Sequence, residues 1–221
     1  MLEGDKELQV FLNDSNFTSA TTDPNMGRRA SQKIEIRNRL LQVGKELFSA
    51  KGLDQVTVAE VVAQAQIARG TFYNYFDDCS HLFQAIVLEL IGQIQEVFNQ
   101  NRTSKTSLYT YLYTTFKSYF DFISTEEMAD FHLRNQAHIR QSSYQNEILK
   151  SIMKDLNRDL KASERIGDFD EKYEFLLLSF MLVGSPLELF IATRNSNLEF
   201  SSDQLALFLA KLFHKVLKKQ A

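Results

Sequence analysis

"TVAEVVAQAQIARGTFYNYFDD", residues 57–78, holds two short helical patterns separated by a few turn-like residues. Thr57 with Glu60 behind it is a capping-box pattern. The hydroxyl accepts from the amide of the third helical residue, and the carboxylate reaches back to the cap. A helix follows to about Gln64, with Val58, Val61 and Val62 available for packing. A second short helix is expected from about Ala68 to Tyr75. Phe72 and Phe76 share one face of it and read as core. Arg69, Thr71, Tyr73, Asn74 and Tyr75 carry groups suited to nucleic acid. Asp77 and Asp78 repel phosphate, but they fit the head of the next helix, where Asp78 can cap and negative charge complements the macrodipole.

Upstream, a helix is expected from Ser31 to Lys51, with Ile34, Leu40, Leu41, Leu47 and Phe48 at helical spacing and Gly44 among them. Lys51 and then Gly52 supply its stop. Downstream, Leu82, Phe83, Ile86, Val87, Leu90, Ile91, Ile94, Val97 and Phe98 draw an apolar stripe along a long helix from about Ser80 to Asn99. Two short helices behind a supporting one make a helix-turn-helix candidate. Further helices are expected at about 105–124, 127–140, 144–163, 169–194 (kinked or broken at Pro186) and 202–219. With two prolines, eight glycines and no alternating valine- or isoleucine-rich runs, the chain reads as all-α. The expected organisation is a disordered tail over 1–30, a DNA-binding domain over 31–78 and a helical body over 79–221.

The bulk properties agree. Net charge is −3, yet residues 28–76 hold Arg28, Arg29, Lys33, Arg37, Arg39, Lys45, Lys51 and Arg69 against Glu35, Glu46, Asp54 and Glu60 alone. A basic module on an acidic body suits a protein that meets phosphate with one end. The only cysteine, Cys79, excludes an internal disulfide and a multi-cysteine metal site. No stretch approaches a membrane span, and the N-terminus lacks a signal-peptide pattern. A cytoplasmic location is the expectation.

The stretch LLQVGKELFSAKGLDQVTVAEVVAQAQIARGTFYNYFDDCSHLFQAIV, residues 40–87, resembles the TetR family of bacterial regulators. The Leu-Phe near the end of the first helix, Gly52, the Thr-Val before the second helix and the Gly-Thr-Phe-Tyr-x-x-Phe run fall in register. The resemblance implies a repressor that binds operator DNA as a homodimer and releases it when a small molecule enters the C-terminal domain. Arg69 can read guanine in the major groove through a bidentate pair. Gly70 allows close approach, Thr71 can meet a base methyl or a phosphate, and Tyr73, Asn74 and Tyr75 suit the backbone. Thr57 can offer phosphate its hydroxyl and a helix N-terminus. Arg28, Arg29 and Lys33 form a candidate arm. Three positions depart from the family: Gln66 where a turn glycine is common, Ala68 where a capping serine is common, and Cys79 where a phosphate-gripping lysine is common.

In the body, Tyr109, Tyr113, Phe116 and Phe120 share a helical face. With Phe175, His132 and Gln136 they are the candidate lining of a pocket for a small, mostly apolar, aromatic or acyl-containing ligand. His138 and Arg140 are further polar candidates. Phe180, in the apolar run YEFLLLSFMLV at 173–183, joins Leu205, Phe208, Leu209, Leu212, Phe213 and Val216 of the last helix. One internal neighbour can hardly bury both segments, so they are the expected four-helix dimer interface. No cofactor is expected, and the four histidines lack carboxylate partners at metal-ligand spacing. No nucleophile-base pair or phosphate loop supports an enzyme. The competing reading is a ligand-independent architectural or nucleoid-associated protein of the same fold, acting through a protein partner.

Overall fold

The helices form where capping and apolar spacing direct them, with departures in where several begin, end or continue. The computed structural model describes residues 24–100, 107–144 and 174–217, and all regular structure among them is helical. Helix α1 (Pro24–Lys51) starts ahead of the expected Ser31, with proline at the first helical position, where its missing N–H is harmless. Residues 24–30 of the expected tail are therefore helical, and residues 1–23 lie outside the described residues. The chain divides into two compact units between Asn38 and Arg39, inside α1. In the first unit Ile34 is exposed, contrary to its expected packing role.

The second unit holds the remaining helices. A 3-10 turn (Leu53–Gln55) leads to α2 (Val58–Ala65) and α3 (Arg69–Phe72). Leu40, Leu41, Leu47 and Phe48 of α1 are buried with Val61, Ala65, Phe72 and Phe76. Full burial of each large side chain contributes about 1.5–3 kcal/mol. Helix α4 (Cys79–Gln100) packs against α1 at Gly44, where an added Cβ would lie 2.9 Å from Leu82 Cδ2 and 3.0 Å from Ile86 Cδ1. Asp78 caps α4, accepting from the His81 amide at 2.8 Å. The expected capping role of the acid pair is met at that residue.

Helix α5 (Leu108–Ile123), capped by Ser107, lies along α9 (Ser202–Leu217). Leu112, Phe116 and Phe120 share a core with Leu205, Leu209 and Phe213, joined by Leu178, Leu182 and Phe190 of α8 (Glu174–Asn195). Helix α8 continues through Pro186 without the expected break. The helix expected over 127–140 is two, α6 (Glu126–Arg134) and α7 (Gln136–Tyr144), parted at Asn135. The helix expected over 144–163 lies outside the described residues apart from Tyr144.

Candidate nucleic-acid interface

Helix α3 is four residues long, shorter than the expected Ala68–Tyr75. The chain after it tightens into bonds three residues apart, from the Asn74 amide to Thr71 O (3.2 Å) and from the Tyr75 amide to Phe72 O (2.9 Å). Phe72 and Phe76 are buried as expected, with ring centroids 6.0 Å apart. Arg69, Gly70, Tyr73 and Asn74 are exposed, and Thr71 and Tyr75 are half-buried. The Arg69 guanidinium donates to the Tyr73 hydroxyl at 3.4 Å, which orients both outward on one helical turn. An added Cβ on Gly70 would meet nothing within 4 Å among the described residues, so packing against them gives no reason for glycine there.

At the head of α2 Thr57 closes the capping box that its spacing from Glu60 predicts. Its hydroxyl accepts from the Glu60 amide (3.3 Å) and donates to the Glu60 carboxylate (2.9 Å), and its own amide donates to that carboxylate (2.9 Å). Lys51 Nζ stands 2.5 Å from Glu60 Oε1. The Lys51 ammonium, then the Thr57 donors, bring the Glu60 carboxyl down to about 2. The Glu60 carboxylate therefore engages the Thr57 donors and Lys51 at this helix start. Lys45 is paired with Glu127 at 3.5 Å, so the expected basic surplus is partly neutralised within the fold. Lys33 is exposed on α1, which also carries Arg28 and Arg29; the side chains of those two arginines lie outside the described residues.

The three departures have visible consequences. Gln66 takes φ 54°, ψ 46°, the left-handed conformation that glycine adopts without strain. The α2 end closes there, with the Gln66 amide on Ala63 O (3.3 Å) and the Ile67 amide on Val62 O (3.1 Å). Ala68 makes no side-chain cap on α3. At Cys79, partial burial and then the neighbouring Asp78 and Glu60 charges push the thiol pKa up, away from the reactive thiolate.

Residues 40–86 match the model of the family described as "Bacterial regulatory proteins, tetR family". Over these residues the chain is similar to the DNA-binding domain of the TetR family. YvdT of Bacillus subtilis, an uncharacterized HTH-type transcriptional regulator, is similar to this chain at 38% identity over 66 residues. That alignment covers 30% of this chain and 32% of the relative, so this chain spans about a third of the relative's length. YdgC of the same organism, also an uncharacterized HTH-type regulator, is 24% identical over 158 residues, 70% of this chain and 78% of the relative. The structure of the transcriptional regulator FadR from Bacillus subtilis in complex with stearoyl-CoA superimposes with a TM-score of 0.66 at 20% identity, covering 81% of this chain and 98% of FadR. That likeness establishes a shared fold. No described helix is long and apolar enough to cross a membrane.

Within the second unit, the end of α1 and the turn before α2 meet α6 and α7 along a seam that the sequence pattern left unmarked. Asn135, fully buried, donates through Nδ2 to Phe48 O (2.9 Å) and Phe131 O (2.8 Å), and accepts the Leu53 amide on Oδ1 (2.7 Å). Phe83 lies edge-on to Phe48 and stacks on Phe131, each at 5.4 Å between centroids. Ser49 donates to Glu127 O (3.2 Å), and His138 meets Asp54 at 3.0 Å on the rim.

The body residues expected to bind ligand have packing roles. Phe116 stacks obliquely near Phe213, Tyr109 meets the His214 ring, and Phe120 is fully buried. The Tyr113 hydroxyl donates to Asp203 at 2.5 Å, and that bond holds its proton. His132 is buried with Nδ1 on Met128 O at 2.7 Å, and desolvation favours the neutral ring. Gln136 bonds Arg140, which grips Glu188 through two bonds at 2.6 and 2.8 Å. The Phe175 side chain is outside the described residues. The expected dimer set divides: Leu205, Leu209 and Phe213 are internal core, a correction, whereas Phe180, Phe208, Leu212 and Val216 are exposed with Leu177 and Met181.

Proposed function

We propose that this chain is a TetR-type repressor that binds a pseudo-palindromic operator as a homodimer and releases it when an acyl-containing small molecule enters the C-terminal helices. The observation that carries the reading is the two-sided segment after the turn. Phe72 and Phe76 anchor it inside, while Arg69, Gly70, Tyr73 and Asn74 face outward. Such a segment can enter a major groove with its base-reading and phosphate-meeting groups already oriented. Phe208, Leu212 and Val216 of α9, with Leu177, Phe180 and Met181 of α8, supply apolar surface for a symmetric contact between two copies. Likeness of fold to FadR, whose structure holds stearoyl-CoA, supports an acyl thioester as effector.

The test begins by selecting duplexes from random DNA on the full chain. Two inverted half-sites are expected among the bound sequences. Arg69→Ala should weaken the selected duplex by about 1 to 3 kcal/mol and relax preference at one base position. Stearoyl-CoA should displace the duplex. Selection without displacement by any acyl-CoA removes the effector assignment. Binding without sequence preference replaces the repressor with an architectural protein.

A further inference from the structure

We infer that Asn135 is the positioning residue of the helix-turn-helix, a buried polar latch that sets the angle at which α3 meets DNA without touching DNA itself. The inference rests on the DNA-binding reading. An asparagine amide offers two donors and one acceptor, and here all three groups are engaged across the seam between the domain and the body. Phe48 O belongs to the last turn of α1 and also accepts the Gly52 amide at 3.0 Å, so Asn135 adds a second bond where that helix ends. The Leu53 amide opens the turn that leads to α2. Phe131 O belongs to α6 of the body. One side chain therefore fixes the exit of α1, the start of the 3-10 turn and the end of α6 relative to one another.

Two further features make the latch directional. Asn135 is the break between α6 and α7; its amide closes α6 on Phe131 O at 3.2 Å, and its carbonyl opens α7 to the Ile139 amide at 2.9 Å. A rotation of either helix moves the amide group. Opposite it, Gly52 has φ 82° and its missing Cβ would lie 3.6 Å from Arg134 O, so the turn is held flush to the same corner. The apolar rings around the seam, Phe48, Phe83 and Phe131, would still pack if the domain slid by a fraction of an ångström. Hydrogen bonds are directional and would not. The latch thus supplies the orientation, and the rings supply the adhesion.

The experiment uses the full chain and a duplex selected from random DNA on the wild type, beside a scrambled duplex of equal length. Asn135→Ala, checked as folded by circular dichroism, should bind the selected duplex roughly tenfold more weakly, leave the scrambled duplex within about twofold, and accept half-site spacings the wild type rejects. Equal losses on both duplexes, or unchanged preference and spacing, overturn the inference. If Asn135→Ala does not fold, the Asp54→Ala, His138→Ala double variant at the exposed rim reads the same ratio; an unchanged ratio overturns it. If the wild type selects no sequence, the repressor reading fails separately. The latch is then read by hydrogen exchange: Asn135→Ala or the rim variant should speed the Leu53 amide while sparing the amides of α2. Uniform acceleration overturns it.

Discussion

The Thr57 hydroxyl and the Glu60 carboxylate close on each other at the head of α2, and Lys51 completes the group from the end of α1. The same three residues that stabilise the helix start also place a negative charge on its N-terminus. A phosphate approaching this helix start would compete with the cap for one set of donors.

Acidification should therefore loosen this domain in a defined window. The Glu60 carboxyl is depressed from an ordinary 4.5 to about 2. A depressed group contributes stability above its unfolded value, and that contribution is lost as pH falls from 4.5 through about 2. Glu60→Gln should flatten the stability profile in that window, measured by denaturant titration. It should also free Lys51 and Thr57 for phosphate, steepening the salt dependence of non-specific DNA binding by about one counterion. An unchanged salt slope would show that the head of α2 does not face the backbone.

Gly70 separates stability from binding. With open space where a Cβ would go, Gly70→Ala should raise thermal stability by up to about 1 kcal/mol. Affinity for a selected duplex should fall, because the added methyl would stand between the segment and the DNA. A variant more stable and equally tight would show that DNA does not approach at this residue.

The turn carries strain that glycine would relieve. Gln66 at φ 54° should be destabilised by β-branched replacement, with Gln66→Val losing about 1 kcal/mol or more. Gln66→Gly should be neutral to slightly stabilising, since relief of strain is offset by chain entropy. Ala68→Ser, which restores a cap to α3, should add about 1 kcal/mol. Chemical denaturation of the three variants reads all of this.

The two faces of α9 should respond differently. Leu209→Ala, inside the core, should lower stability by about 2–5 kcal/mol. Leu212→Glu, on the exposed stripe, should change monomer stability by about 0.5 kcal/mol or less and shift sedimentation from dimer to monomer. A Leu212→Glu protein that remains dimeric would remove this face from the interface.

Residue spacing made much of this legible. The capping box, the Lys51–Gly52 stop, the Phe72–Phe76 core pair and the outward Arg69 and Tyr73 each follow from local chemistry, and the structure places them so. The α9 stripe was harder to read, because Leu205, Leu209, Phe213 and Leu217 interleave with Phe208, Leu212 and Val216. A stripe that wide contains two faces, and periodicity alone cannot say which one the chain covers itself. Competing partners were also invisible: nothing in a run of basic residues tells that Lys45 and Lys51 answer to Glu127 and Glu60. Asn135 gave no signal, since its importance comes from Phe48 and Leu53, far away in the chain.

Gly52 has a consequence for how this protein can change over generations. Its backbone, φ 82° and ψ 155°, lies where only glycine rests without strain, although a Cβ there would make no more than ordinary contact with Arg134. Surface positions around it can drift freely, but residue 52 is a mutational dead end. In any random library sorted for folded protein, position 52 should emerge as glycine.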